Sequence, residues 1–288
     1  MKILYTSDLH GRASLYEQLA ALAFSERPDG LILGGDLLPD GDPNDSQVVQ
    51  SGFVLGPLRE LLERLHDRLP GLRAAVVFGN HELRCAEQAI AQLSSAGLIE
   101  LLRADRPVRW AALSLLGYPC SPPCPHWAKD FERLDRPGQS TPFTQGAVWN
   151  ARLGRIEPVD AAQYLASQPS IEEDLARMAR VERPWILVAH VPPSSLGLDR
   201  LETGESVGSQ AMLQFLRRRQ PDVSLHGHVH ESPRMTGLFW RRIGRTIAIN
   251  PGQGQERLAA VTFEADRPAK TLVPLGVDLR PGCPTPWS

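Results

Sequence analysis

Residues 3–11 read ILYTSDLHG, an apolar, strand-favouring run that gives way at Ser7 to Asp8-Leu9-His10-Gly11. A short unbroken run of this kind predicts a strand covered on both faces, as at the centre of an α/β sheet. An acid and an imidazole then stand at its carboxyl end, the edge at which α/β sheets bind ligands. The pattern recurs four times. LILGG (31–35) runs into Asp36, and AAVVF (74–78) into Gly79-Asn80-His81-Glu82. WILVA (185–189) runs into His190, and VSLHG (223–227) into His228-Val229-His230.

Between these strands the apolar spacing turns helical. Leu15, Leu19 and Leu22 share one face over 14–24, and Leu58, Leu61, Leu62 and Leu65 mark a helix within 46–69. Further helices are expected at 83–95, 171–181 and 207–219, with short strands in 98–117. Strands alternating with helices predict an α/β layered fold. The tail segments MTGLFW, RTIAIN, LAAVTFE and KTLVPL alternate as antiparallel strands do.

One stretch departs from this plan. From about 118 to 170 the chain is rich in proline and polar residues, with PCSPPCPHW at 119–127 and DRPGQSTPF at 135–143. It reads as a partly helical insertion flanking the active site of a single domain spanning 1–288. Long segments of this kind are commonly lids or binding loops. Excision of 121–167 is therefore expected to leave a folded core.

At 288 residues and 42% hydrophobic content the chain can bury a large core. Its net charge of −2 supplies no global field toward nucleic acid or anionic lipid. No apolar segment approaches the roughly 18–20 residues that cross a bilayer, and MKILYTSDLHG lacks the apolar stretch of a secretory leader, so a cytoplasmic location is expected. Cys85, Cys120, Cys124 and Cys283 make no disulfide framework. Cys120 and Cys124 could clip zinc only with two further soft ligands, and none lies close in sequence. Lysine occurs only at positions 2, 129 and 270, which reads as compositional bias toward arginine.

Each strand-end cluster has a plain alternative. Asp-x-His can be a turn with a surface histidine, Gly-Asp a common turn, and Asn80 a helix N-cap. His190 can be a hydrogen-bonded core residue. Gly-His-x-His is more specific, because alternate strand residues share a face. His226 reads as core, His66 and His126 as surface or insertion residues, and Glu82 as a residue that caps or stiffens the following helix. Gly11 and Gly35 read as places where backbone passes close to the site.

The combined order, D-x-H, G-D, G-N-H-E, H and G-H-x-H from Asp8 to His230, resembles the calcineurin-like metallophosphoesterase superfamily; Asn250-Pro251-Gly252 resembles a loop of its bacterial members. The resemblance implies a four-layer α/β/β/α sandwich of two mixed β-sheets flanked by helices. It implies that Asp8, His10 and His230 hold one metal ion and Asn80, His190 and His228 a second, with Asp36 bridging. His81 would lie beside them as a general acid or an orienting group. Arg12, read from its own position, could pair with a phosphate oxygen or be a surface arginine at the helix start. Two aspartates against two divalent ions leave a site near +2, suited to an anionic phosphate and a metal-bound hydroxide. Mixed oxygen and nitrogen ligands suit manganese, iron, nickel or zinc without choosing among them.

The implied activity is hydrolysis of a small-molecule phosphate ester, of the phosphodiesterase kind. A nuclease on the same site would want a positive groove. In the insertion, Lys129, Arg133, Arg136, Arg152 and Arg155 are balanced by Asp130, Glu132, Asp135 and Glu157. A non-catalytic interaction module would be expected to have lost ligands, and none is lost. The sequence implies no oligomeric state.

Overall fold

The computed structural model describes residues 1–279; Cys283 lies outside them. The strands are β1 (Lys2–Thr6), β2 (Gly30–Gly34), β3 (Arg73–Val77), β4 (Glu100–Leu101), β5 (Val108–Trp110), β6 (Leu113–Tyr118), β7 (Gln145–Asn150), β8 (Arg155–Asp160), β9 (Trp185–Ala189), β10 (Val223–Leu225), β11 (Trp240–Ile243), β12 (Thr246–Ile249), β13 (Ala260–Glu264) and β14 (Val273–Leu275). One six-stranded sheet has the order β14-β13-β1-β2-β3-β4 and a second β11-β12-β10-β9-β6-β5. Both are mixed: β1 is parallel to β2 and antiparallel to β13, and β12 is parallel to β10 and antiparallel to β11.

Strand alternation builds the layers. Ile3, Tyr5, Ile32 and Val77 of the first sheet share an apolar cluster with Leu115, Ile186, Val188 and Ile249 of the second, so the sheets pack face to face. Leu4, Leu31, Leu33 and Val76 point the other way and cluster with Leu15, Leu19, Leu61 and Leu65 of the outer helices. Leu116, Leu187 and Ala189 belong with Met212, Phe215 and Leu216 on the opposite outside. Helix, sheet, sheet, helix is the expected order of layers. Burying each such side chain contributes about 1.5–3 kcal/mol.

The register brings the chemistry to one edge. Leu33 pairs with both Thr6 and Val76, so β1, β2 and β3 end together, just before Asp8, Asp36 and Asn80. In the second sheet Val188 pairs with Leu225, which aligns His190 with the segment leading to His228 and His230.

Several expectations need correction. The helix expected over 46–69 is broken by a π-helical turn at Val54–Leu58 containing Pro57, whose missing N–H cannot continue the α ladder. The helix expected from 83 begins at Ala86, and that expected to reach 181 ends at Ala176. The tail is not wholly antiparallel: β12 joins the second sheet in parallel, and Met235, Thr236, Lys270 and Thr271 fall in short helices. The insertion contains a β7–β8 hairpin as well as the helix Ala161–Ser167. Its earlier part is no detached flap, since Ala128, Lys129, Phe131 and Glu132 are all buried. Excision of 121–167 would strip part of the core, so a folded remainder is no longer expected. No helix among the described residues is long and apolar enough to cross a membrane.

Candidate metal centre

Four of the candidate ligands occupy left-handed backbone, with φ of 59° at Asp8, 46° at His10, 51° at Asp36 and 67° at His228. Such conformations cost a non-glycine residue on the order of 1–3 kcal/mol and persist only where surrounding bonds dictate them. Here they do. Asp8 N–H donates to the Gly35 carbonyl at 2.8 Å, and His10 N–H to that of Asp36 at 2.9 Å. His228 N–H donates to the Asp8 carboxylate at 3.0 Å, tying the two sheets together across the site. Gly35 is itself at φ 94°, and a Cβ there would stand 2.6 Å from His190 Nδ1, so only glycine lets that ring seat. The strand argument for His228 and His230 is corrected. β10 ends at Leu225, and a turn delivers both imidazoles.

Six of the seven residues named from the sequence fall into two adjoining groups that could hold metal ions, and a third group, His10, Asp40 and His81, shares His10 with the first. In the first, His230 Nε2 lies 3.2 Å from Asp8 Oδ1 and 3.3 Å from His10 Nε2. In the second, His190 Nε2 lies 3.2 Å from Asp36 Oδ2, with His228 beside them. His190 Nε2 also stands 4.0 Å from Asp8 Oδ1, so the groups share a border. Asn80 is fully buried, and its Oδ1 has no hydrogen-bond partner; neither has His190 Nε2. Unsatisfied buried polar atoms demand an explanation, and a cation between them supplies one. The His190 Nδ1 contact to the Gly34 carbonyl at 2.9 Å takes the ring's other nitrogen, as metal-ligating imidazoles require. The donor set therefore fits divalent ions.

Without metal the site balances its own charge. Burial disfavours charged His190, yet the Asp36 and Asp8 carboxylates lift its pKa to about 10. Burial pushes His228 down to about 3. His190 thus carries an extra proton at neutral pH, and with Nδ1 committed to Gly34 that proton sits on Nε2. His230 adds to this: burial opposes its imidazolium too, but the Asp8 carboxylate favours it, so metal uptake should release protons at pH 7 and affinity should rise with pH. Calorimetric titration in buffers of different ionisation enthalpy measures this release; buffer-independent heats would contradict it.

His81 sits at the rim, its Nε2 4.0 Å from Asp36 Oδ2. Its Nδ1–H donates to Asp40 Oδ1 at 2.7 Å, which leaves Nε2 facing the centre. Burial opposes the imidazolium, but the Asp36 and Asp40 carboxylates raise its pKa to about 9. Asp40 also lies 3.4 Å from His10 Nδ1. Partial burial would raise its carboxyl, and the two histidines hold it well below the usual carboxylate range. Sequence reading misses Asp40, although it comes four positions after Asp36 in the same strand-end loop. His126, expected among surface or insertion residues, does lie in the insertion, but its ring stacks on His81 at 3.8 Å, 18° from parallel.

Glu82 is also corrected. It is fully buried, and instead of capping a helix it accepts from the backbone N–H groups of Gly79 (2.5 Å), Asp36 (2.9 Å), Leu37 (2.6 Å) and Leu38 (3.0 Å). One carboxylate thus fixes the loop that carries Asp36 against the loop that carries Asn80. Glu82→Ala should destabilise the protein by roughly 3 kcal/mol or more, because several buried N–H groups lose their acceptor. A denaturant midpoint close to wild type would refute this. His226 is a satisfied core residue, within 2.7 Å of Ser224 Oγ and 2.8 Å of the Val191 carbonyl. Arg12 donates to the Gly254 carbonyl at 3.3 Å. Cys85, Cys120 and Cys124 are free, and none joins a group of metal-binding geometry among the described residues.

The sequence model of the calcineurin-like phosphoesterases matches residues 1–232. A crystal structure of the TT1561 protein from Thermus thermophilus superposes with a TM-score of 0.62 at 16% identity, covering 96% of this chain and 98% of that one. An archaeal phosphodiesterase aligns over 96% of this chain and 99% of its own, at 12% identity and a TM-score of 0.45. At such identities the Thermus likeness speaks to the fold alone. No curated protein matches the sequence.

Proposed function

Because the chain belongs to the calcineurin-like phosphoesterase family, and is thereby a metal-dependent phosphoesterase, we propose that it is a phosphodiesterase of small molecules working at a dinuclear centre. The observation that carries the dinuclear reading is the pair of adjoining ligand groups, Asp8-His10-His230 and Asp36-His190-His228, with the unpartnered Asn80 Oδ1. When bound, the ions supply Lewis acidity, activating water and offsetting phosphate charge. The chain's residues do the rest. Asp36, whose carboxylate lies 3.2 Å from His190 Nε2, would help to hold the ions and supply negative charge to both. His81, held at Nδ1 by Asp40, presents Nε2–H toward the centre and gives its proton to the departing oxygen.

A diester is favoured by the space beside His230. A cavity of about 870 Å³ opens there, enough for a second ester arm that a monoester lacks. Glu202, Glu231, Glu256 and Asp278 line it against Arg234 and Arg257, a balance that repels polyanionic nucleic acid. Phosphomonoesters, cyclic nucleotides and linear diesters should be compared with several divalent metals. Diesters should give the higher kcat/KM. Preference for monoesters would replace this reading by a phosphomonoesterase, and preference for DNA or RNA by a nuclease.

A further inference from the structure

We infer that Cys124 is a positioning residue whose thiol fixes the orientation of the Asn80 amide for metal binding. This rests on the proposal that Asn80 is a ligand. The insertion carrying Cys124 has no counterpart in the motif order that named the other site residues.

The contacts form one directed chain. Asn80 Nδ2 donates to Cys124 Sγ at 3.5 Å. The thiol in turn donates to Glu132 Oε1 at 3.1 Å, and the Cys124 backbone N–H reaches the same oxygen at 3.3 Å. The other carboxylate oxygen accepts from Lys129 Nζ at 2.9 Å. Lys129 spends its remaining donors on the carbonyls of Cys124, at 2.9 Å, and of His126. Lys129 and Glu132 are both fully buried.

The donor and acceptor roles then leave no freedom at Asn80. A carboxylate paired with an ammonium only accepts, so the thiol hydrogen must point at Glu132. Sulfur is left with lone pairs alone, and the group facing it must be a donor. Asn80 therefore turns its NH₂ to Cys124 and its Oδ1 inward, where that oxygen is buried without a partner. A flipped amide would set oxygen against sulfur lone pairs and NH₂ against the cation. Lys129 also shapes the backbone of 124–126, which carries both this thiol and the His126 ring stacked on His81. An ammonium with three donors on a slender stem meets three converging acceptors, which a planar guanidinium cannot.

The test is titration of the full-length, metal-stripped chain with Mn²⁺, or failing that Ni²⁺, Zn²⁺ or Fe²⁺, by calorimetry, which reads binding and not turnover. Wild type should take up two ions. Cys124→Val, similar in size but without donor or acceptor, should weaken one of the two by about 10- to 100-fold and spare the other. Cys124→Ser, which keeps both roles, should hold both within about threefold. In an Asn80→Asp background, which offers no N–H to the sulfur, Cys124→Val should cost nothing further. Cys124→Ala serves if valine does not fit, and should match its loss. Undiminished affinity in the valine or alanine variant overturns the inference, as does a serine variant equally impaired or an added loss in the Asp background. Failure of wild type to bind two ions of any of Mn²⁺, Ni²⁺, Zn²⁺ or Fe²⁺ overturns the dinuclear reading itself, and is seen before any variant is made.

Discussion

His81→Ala is expected to retain both metal ions and to lower turnover of diesters with alkoxide leaving groups by about 10²- to 10⁴-fold. Departure of an alkoxide needs a proton, and in the proposed mechanism His81 gives it. Its Nδ1 is committed to Asp40, its face is covered by His126, and its Nε2 faces Asp36. The loss should shrink for p-nitrophenyl esters, because p-nitrophenolate leaves without protonation. Equal defects for good and poor leaving groups, at full metal content, would make His81 an orienting group instead. Loss of metal would make it a ligand.

Asp36→Asn should be more severe, exceeding about 10⁴-fold, since it weakens the Lewis acid on which the whole reaction depends. The Asp36 carboxylate is fully buried, lies 3.2 Å from His190 Nε2 and accepts from His81 N–H at 2.9 Å. On the proposed bridging role, an amide there would remove one negative charge from the centre and set an NH₂ group where only acceptors are wanted. Asn80→Asp keeps an oxygen and adds charge, so it should be the milder change. Elemental analysis beside turnover separates the cases. Equal losses in the two variants, with metal retained in both, would contradict the bridging role of Asp36.

The parts of this site that can be read from sequence lie at the ends of strands. β1, β2, β3 and β9 are continuous apolar runs, so their limits are legible within a residue or two, and parallel pairing brings the residues after them to one edge. The rest depends on contacts between distant segments. Asp40 takes its meaning from reaching two histidines, and Glu82 from four amides on two loops. The β7–β8 hairpin is half-exposed and carries Pro158, which hides its alternation. Lys129 reads in sequence as one of three lysines left by compositional bias, yet it is buried at the centre of the insertion's hydrogen bonds. A rare residue type has a structural reason here that no local pattern announces.

Elemental analysis of purified, active protein tests the account at its root. The two ligand groups predict about two divalent metal ions per chain, with hydrolysis of p-nitrophenyl phosphate esters lost on chelation and restored by added metal. Full activity in protein that contains no such metal and resists chelation would contradict it.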